Sequence, residues 1–534
     1  MDREKRKNRE RTGAEQEERR LLLKRGKRGI LNVVFGRTML ILVMLAAQIA
    51  LLVALFNSLQ GLVPYYYFLM LLLNGALILH LVNKPSEPFS KITWILLIVL
   101  APALGVTLYL FVEMDVGHRM LNRRLSALVR ETSAYMPRQP DLPAGMAEAA
   151  PEMTGLRHYL WQNGSFPAYA NTKVNYYPSG EESLEAMLDD LKQARDFIFL
   201  EFFIIEEGYM WGRVLKVLED KVRQGVEVRV MYDGTCALFR VPYRYPELLR
   251  SLGIQCKMFS PLRPMMSTHY NNRDHRKILV IDGQVAYTGG VNLADEYVNR
   301  GSRFGHWKEV SVRLSGEAVR SFTLMFLQMW NVDEQDDDFA RYLDVPIRAE
   351  RAPGWVLPYG DSPLDGEQVG EFVYLDMINR AQRYVHIMTP YLILDREMTI
   401  ALTLAAKRGV EVCVLLPHIP DKKYAFALAK THYRELLQAG VRILEYTPGF
   451  VHAKTFVSDD CKAVVGTINL DYRSFYLHFE CAVYLRDMPA VLDVEADFQA
   501  TAARCQEIHL EDLKQISPVT RVAGWLLKVF APMM

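Results

Sequence analysis

Two histidines in this chain are each followed by a lysine two positions on and an aspartate seven positions on. The first set is His275, Lys277 and Asp282; the second is His452, Lys454 and Asp459. Both read H-x-K-x-x-x-x-D, and each histidine has an asparagine 17 residues downstream, Asn292 and Asn469, and a glycine 14 downstream, Gly289 and Gly466. These residue types suit displacement at a phosphodiester. Imidazole is a nucleophile near neutral pH and also carries a proton. Attack at phosphorus builds charge on the non-bridging oxygens, which two lysines and two asparagines would stabilise by donation. One histidine would attack; the other would protonate the departing alkoxide and then deprotonate the incoming alcohol. Each imidazole also needs an orienting acid. Glu309, in His306-Trp-Lys-Glu309, and Glu480, in His478-Phe-Glu480, are the candidates. No metal is expected, because the lysine beside each histidine repels a cation and no Cys/His cluster has ligand spacing. No cofactor is expected either.

On a strand, His and Lys at i and i+2 project to one face. The aspartate falls on the other parity and is expected to brace backbone or neighbouring side chains rather than touch substrate. Asp282-Gly283 predicts a hairpin turn that returns the chain so that Asn292 approaches the histidine. The surrounding elements recur. Strand signals at Ala194–Ile205, Gly225–Asp233 and Ile254–Phe259 alternate with helices at Trp211–Gln224 and Tyr245–Ser251. The same order returns as Gln382–Tyr391, helix Thr399–Arg408, strand Gly409–Leu416, helix Arg434–Ala439 and strand Val441–Tyr446. GVEVRVMYD at 225–233 is echoed by GVEVCVLL at 409–416. A repeat this long is a domain duplication rather than a solenoid unit. Alternating strands and helices predict an α/β class. Two like domains packed about a pseudo-dyad would bring equivalent residues to one cleft.

The apolar residues gather ahead of these domains. Thr38–Phe56, Leu62–Val82 and Ile92–Val112 carry no Asp, Glu, Lys or Arg, and each has the length of a membrane-crossing helix. Tyr65, Tyr66, Tyr67, Trp94 and Tyr109 lie near their ends, as interfacial anchors do. Residues 1–37 hold 13 Lys/Arg against 6 Asp/Glu, so this tail is expected in the cytoplasm. Three full crossings would then put residue 113 outside, whereas Arg119, Arg123 and Arg124 prefer the inside; the two rules conflict. Pro102 and Gly105 interrupt the third run, which makes it a candidate for a re-entrant or tilted segment. Six cysteines without C-x-x-C spacing read as free thiols. The formal net charge of +1 gives no basic footprint for nucleic acid, which counts against a nuclease.

At the paired motifs the sequence resembles the phospholipase D superfamily, and most of all its bacterial cardiolipin synthases. Asn83-Lys-Pro-Ser leading into Trp94, Glu201-Phe-Phe and Thr389-Pro-Tyr391 are also similar to that family, the last two to strand ends lining its active site. The resemblance implies two phospholipase D-like α/β domains preceded by transmembrane helices in a multi-pass protein of the cell membrane. It implies joining of two phosphatidylglycerol molecules into cardiolipin and glycerol through a phosphatidyl-histidine, with His275 as nucleophile and His452 as general acid and base. The partners are then phosphatidylglycerol and membrane lipids, not nucleic acid. A phospholipase D hydrolase, another phosphatidyltransferase and, more remotely, a membrane-bound nuclease remain as alternatives that the motifs do not separate. One departure is Gly290, where many relatives have serine and the second half has Thr467; a lost phosphate contact is the expected cost. The domain reading is a basic tail at 1–37, membrane segments at 38–112, a connector at 113–155, catalytic domains at 156–345 and 346–515, and an amphipathic segment at 516–534. That last segment suits either a membrane interface or packing on the catalytic domain. Oligomeric state has no signal in the sequence.

Overall fold

The computed structural model describes residues 49–50, 53–54, 66–85, 87–113, 116–137, 150–261, 272–301, 303–334 and 338–533. The first half supplies β1 (Thr172–Tyr177), β2 (Phe197–Phe202), β3 (Glu227–Asp233), β4 (Gln255–Phe259), β5 (Arg273–Asp274), β6 (Lys277–Ile281), β7 (Val285–Gly289), β8 (His306–Lys308) and β9 (Ser311–Gly316). The second supplies β10 (Trp355–Asp361), β11 (Tyr384–Met388), β12 (Glu411–Pro417), β13 (Arg442–Tyr446), β14 (Gly449–Val451), β15 (Thr455–Ser458), β16 (Lys462–Gly466), β17 (His478–Arg486) and β18 (Cys505–Ile508). Among the described residues the first sheet runs β1-β9-β7-β6-β2-β3-β4 and the second β10-β17-β16-β15-β11-β12-β13-β18. Strand for strand the two orders match, with β18 as an addition. In each half the three strands β2-β3-β4 or β11-β12-β13 are parallel and the rest antiparallel, so both sheets are mixed.

The repeated Gly-Val-Glu-Val has a local cause. Gly225 and Gly409 follow helices Tyr209–Arg223 and Arg396–Lys407 with φ of +88° and +90°. Val226 N donates to Lys221 O and Val410 N to Ala405 O, each at 3.0–3.1 Å, closing both helices by the Schellman pattern before the next strand begins. Glycine tolerates the left-handed backbone there. The β6–β7 and β15–β16 turns are a second matched pair. Asp282 and Gly283, and Asp459 and Asp460, all have φ between +52° and +65°, the two-residue hairpin geometry.

The halves face each other across a shared core. Helix Val319–Trp330 is buried nearly all round, and its Phe322 and Phe326 belong to one buried cluster that includes Val280 and Val312 of the first sheet and Val457, Val465 and Val483 of the second. Each fully buried phenylalanine is worth roughly 2–3 kcal/mol. Two short parallel pairings stitch the halves: β5 to β17, and β14 to β8. They are related by the same duplication.

The connector holds more structure than its prolines suggest. Val116–Thr132 is a helix, and its Leu121, Leu125 and Leu128 pack inward toward the shared core or are buried. The reading of Ile92–Val112 as one spanning helix is corrected. That run is two helices, Pro88–Leu100 and Pro102–Glu113, folded against each other with the break at Ala101. A Cβ on Gly105 would lie 2.7 Å from Ile98 Cα, so the glycine allows the close approach. Lys84 and Glu113 form an ion pair that brings the two ends of this hairpin together. At 1.5 Å per residue, neither helix covers roughly 30 Å of hydrocarbon. The second run appears as helix Tyr66–Asn83, and most of the first, Thr38–Phe56, lies outside the described residues. Among the described residues no helix is long and apolar enough to cross a membrane. The C-terminal segment is helix Pro518–Phe530, capped by Ser517.

Candidate active site

The two stitches between the halves position the two histidines. His275 follows β5, and its N–H donates to Phe479 O at 2.9 Å; His452 follows β14, and its N–H donates to Lys308 O at 2.8 Å. The residue after each of those carbonyls is the acid that meets the ring. Glu480 carboxylate oxygens lie 2.9 Å from His275 Nδ1, and Glu309 Oε2 lies 2.5 Å from His452 Nδ1. Each histidine is thus oriented by the acid of the opposite half. Both acids are fully buried. With Nδ1–H given to the acid, each Nε2 is left for chemistry.

Both histidines, Asn292 and Asn469 line one cavity of about 1130 Å³. The lysines are buried beside them. Lys277 Nζ donates to His275 O, and Lys454 Nζ donates to His452 O while lying 2.9 and 3.0 Å from the two ring nitrogens of His452. Burial, and then Lys277 and Lys454, push His275 well below the ordinary imidazole range. Burial and Lys454 push His452 down to about 4, against an upward pull from Glu309. Burial brings Lys277 down to about 8; burial, with Lys277 adding to it against Glu309, brings Lys454 to about 7. Burial raises Glu309, but His452 and Lys454 outweigh it and hold the carboxyl below its usual value. Beyond burial, Lys277 and Lys454 each act to lower both histidines, a pull that an anionic phosphodiester bound in the cavity would counter.

The other residues singled out by the sequence have different surroundings. Asp282 accepts from the backbone N–H of Arg195, Asp196 and Phe197, and Asp459 from those of Gln382, Arg383 and Tyr384. They hold the strands next to the histidines and make no contact with the imidazoles. Asn292 is tied to Ile204 N at 2.9 Å and to the Tyr297 hydroxyl at 2.7 Å, whereas Asn469 Oδ1 has no partner among the described residues. Glu201 does not line the cavity; it pairs with Arg276, the residue between His275 and Lys277, at 2.5 Å. Tyr391 does line it, donating to Asp421 at 2.7 Å.

Gly290 has a different role from a missing phosphate contact. A Cβ there would lie 2.0 Å from Glu309 Oε1, so the glycine leaves the space that the carboxylate fills. Its counterpart Thr467 donates its hydroxyl to Glu480, and Ser474 donates to the same carboxylate at 2.7 Å. Glu480 therefore has two hydroxyl donors and Glu309 has one backbone donor, Val310 N at 3.1 Å. The two histidine–acid pairs are unequal.

Sequence reasoning missed several wall residues. His478 lies with its ring 5.4 Å from that of His275 and receives Arg473 Nε at 3.2 Å. Tyr297, also missed, meets His452 edge-on at 5.4 Å, while Phe203, from the Glu201-Phe-Phe strand end already singled out, meets His275 the same way at 5.0 Å. His275, His478 and Glu480 bring ligand-type atoms within 4.8 Å of one another. Glu480 is already occupied by His275, Thr467 and Ser474, and Lys277 sits beside them, so this grouping suits an imidazole–carboxylate pair better than a cation.

Comparison with known proteins fits this geometry. The family described as "Cardiolipin synthase, PLD-like domain" matches residues 187–330 and 374–502, and "Phospholipase_D-nuclease N-terminal" matches residues 72–113. The chain belongs to the cardiolipin synthase family of phospholipase D-like proteins. It is 31% identical to a cardiolipin synthase of Geobacillus kaustophilus, over 86% of this chain and 91% of the relative. A cardiolipin synthase of Geobacillus thermodenitrificans is 33% identical over 84% of this chain and 87% of its own length. An uncharacterized protein of Streptococcus mutans is 49% identical over 86% of this chain and 99% of its own. The solved phosphatidylserine synthase of Haemophilus influenzae shares the fold, with a TM-score of 0.54 at 14% identity, covering 72% of this chain and 98% of that one.

Proposed function

We propose that this protein is a phosphatidyltransferase that condenses two phosphatidylglycerol molecules into cardiolipin and glycerol. The observation that carries this reading is the crossed pair of buried His–Glu couples facing one cavity, with Lys277 and Lys454 buried beside the two histidines. His275 Nε2 attacks phosphorus of the first lipid as the bond to its headgroup glycerol breaks. His452, protonated once the bound anionic lipid has raised its basicity, gives that proton to the departing glycerol oxygen. Lys277, Lys454 and Asn469 surround the phosphoryl oxygens, and Glu480 stabilises the imidazolium formed at His275. His452, now neutral, takes the proton from the primary hydroxyl of the second lipid, whose oxygen attacks phosphorus and expels His275. The site returns to its starting protonation.

His275 is the better nucleophile of the two. Its partner Glu480 has its charge dispersed over two hydroxyl donors, so His275 is held neutral with a free Nε2. His452 faces a less solvated carboxylate and binds the transferable proton more readily. In the membrane reading, the first two apolar runs cross the bilayer and residues 88–113 dip in and return. The test is incubation of purified, detergent-solubilised protein with headgroup-labelled phosphatidylglycerol. Cardiolipin and free glycerol in equal amounts are expected. Phosphatidic acid as the sole lipid product would overturn transfer in favour of hydrolysis.

A further inference from the structure

The C-terminal helix has three distinct sides. Gly524 and Leu527 face the protein: a Cβ on Gly524 would lie 2.6 Å from Ala427 O, and Leu527 packs on the small cluster of Ile393, Leu428 and Tyr472. Val519, Val522, Leu526 and Phe530, spaced three or four apart, form a stripe on another side with Trp525 at its edge. That side is bare: Val519 is 78% exposed, Leu526 63% and Trp525 61%. Arg521 and Lys528 lie between the two sides, where long basic side chains reach toward anionic headgroups.

Two observations say what covers the bare side. The 88–113 hairpin docks on this helix, with Thr93 Oγ1 donating to Val529 O at 2.5 Å, and it is bare too, at Ile92, Val99 and Leu100. The apolar surface is therefore continuous with the apolar N-terminal region. Ala531, directly after the helix, lines the same cavity as His275 and His452.

We infer that residues 518–530, together with the hairpin, lie in the headgroup region of an anionic phospholipid bilayer and form the rim over which lipid substrate enters the catalytic cavity. The inference rests on the phosphatidyl-transfer reading. A lipid can then present its phosphate to the histidines while its acyl chains stay in the bilayer. Basic flanks and bare aliphatic side chains fit that one surface, and a water-soluble partner would not need both.

Two measurements test it. Leu526→Cys carrying a nitroxide, in vesicles of equimolar phosphatidylglycerol and phosphatidylethanolamine, should be accessible to oxygen and shielded from a water-soluble nickel relaxant, while the same label at exposed Asp220→Cys should show the reverse. Val522→Glu with Leu526→Glu should lower turnover of long-chain phosphatidylglycerol in those vesicles by about tenfold or more, with turnover of monomeric dihexanoyl-phosphatidylglycerol kept within about twofold. A label shielded from both relaxants would mean that another part of this chain or a second copy covers the face, and would overturn the inference. So would unchanged turnover in vesicles, or equal loss on both substrates. The label's depth is read without any turnover, so an inactive parent protein would count against the transfer reading and leave the bilayer contact tested on its own.

Discussion

The proposed catalytic groups are few, and their inequality is local. His275→Ala and His452→Ala should each reduce cardiolipin formation by about 1,000-fold or more, measured on labelled phosphatidylglycerol. They should differ with a substrate whose leaving group needs no proton: His452→Ala should still accumulate a phosphatidyl-enzyme, and His275→Ala should not. Thr467→Ala removes a hydroxyl donor from Glu480 and leaves more charge on the carboxylate facing His275. The His275 pKa should then rise, so activity should be lost at the acid end of the pH profile and kept at the alkaline end; an unchanged acid limb would refute the role given to this hydroxyl. Gly290→Thr should be worse than Thr467→Ala, because its side chain would meet the Glu309 carboxylate. Binding of an inert phosphodiester near pH 7 should draw protons into the site. His452, down at about 4, and Lys454, at about 7, both gain basicity beside an anion. Calorimetry in buffers of different ionisation heat should record uptake; release would contradict the assigned charge states. The motif residues were legible because their spacing repeats. The crossing of acid and histidine between halves was not, since it arises from β5–β17 and β14–β8 pairings that no local pattern announces.

At the scale of elements, strand and helix runs with clean apolar patterns were readable, down to the duplicated Gly-Val-Glu-Val. What was missed depended on tertiary partners. Lys423–Ala439 is longer than its readable Arg434–Ala439 end because its first turns serve as the seat of the C-terminal helix. The third apolar run looked long enough to span, yet Pro102 and Gly105 turn it into a hairpin whose two helices meet through Trp94 packed edge-on against Tyr109. Helix Val369–Arg380 carries a buried acid, Glu371, beside Asp395, with the Tyr476 hydroxyl oxygen 3.2 Å from the first carboxyl and 2.9 Å from the second. Burial, then the Asp395 carboxyl, raises the Glu371 pKa. The folded protein therefore keeps a proton that the unfolded chain has lost above the ordinary carboxyl value of 4.5, and stability must fall as pH rises through that window. Glu371→Gln keeps the shape and removes the titration. Its melting temperature should decline less than the parent's between acid and alkaline pH, and an identical slope would show that Glu371 ionises freely in the fold.

Over the whole molecule, the duplication means that neither half holds a complete site. Each contributes one histidine and the other's acid, so separation of the halves would leave two imidazoles without orientation. The sequence displayed the two copies but not their mutual dependence, because equal motifs are also compatible with two independent sites. The Lys84–Glu113 ion pair has a further consequence. A segment whose ends meet contributes nothing to the parity of membrane crossings. If the first two apolar runs cross, as proposed above, the basic tail, Arg119, Arg123, Arg124 and both halves would all fall on the cytoplasmic side, and the conflict between length and charge would disappear. In cells, Asp220→Cys should react with a membrane-impermeant maleimide only after lysis; labelling of intact cells would require an odd number of crossings. An even count would make the enzyme a one-leaflet machine: it would draw both lipids from the inner monolayer and deposit a four-chain product there, so every cardiolipin molecule in the outer monolayer would have had to be carried across by something else.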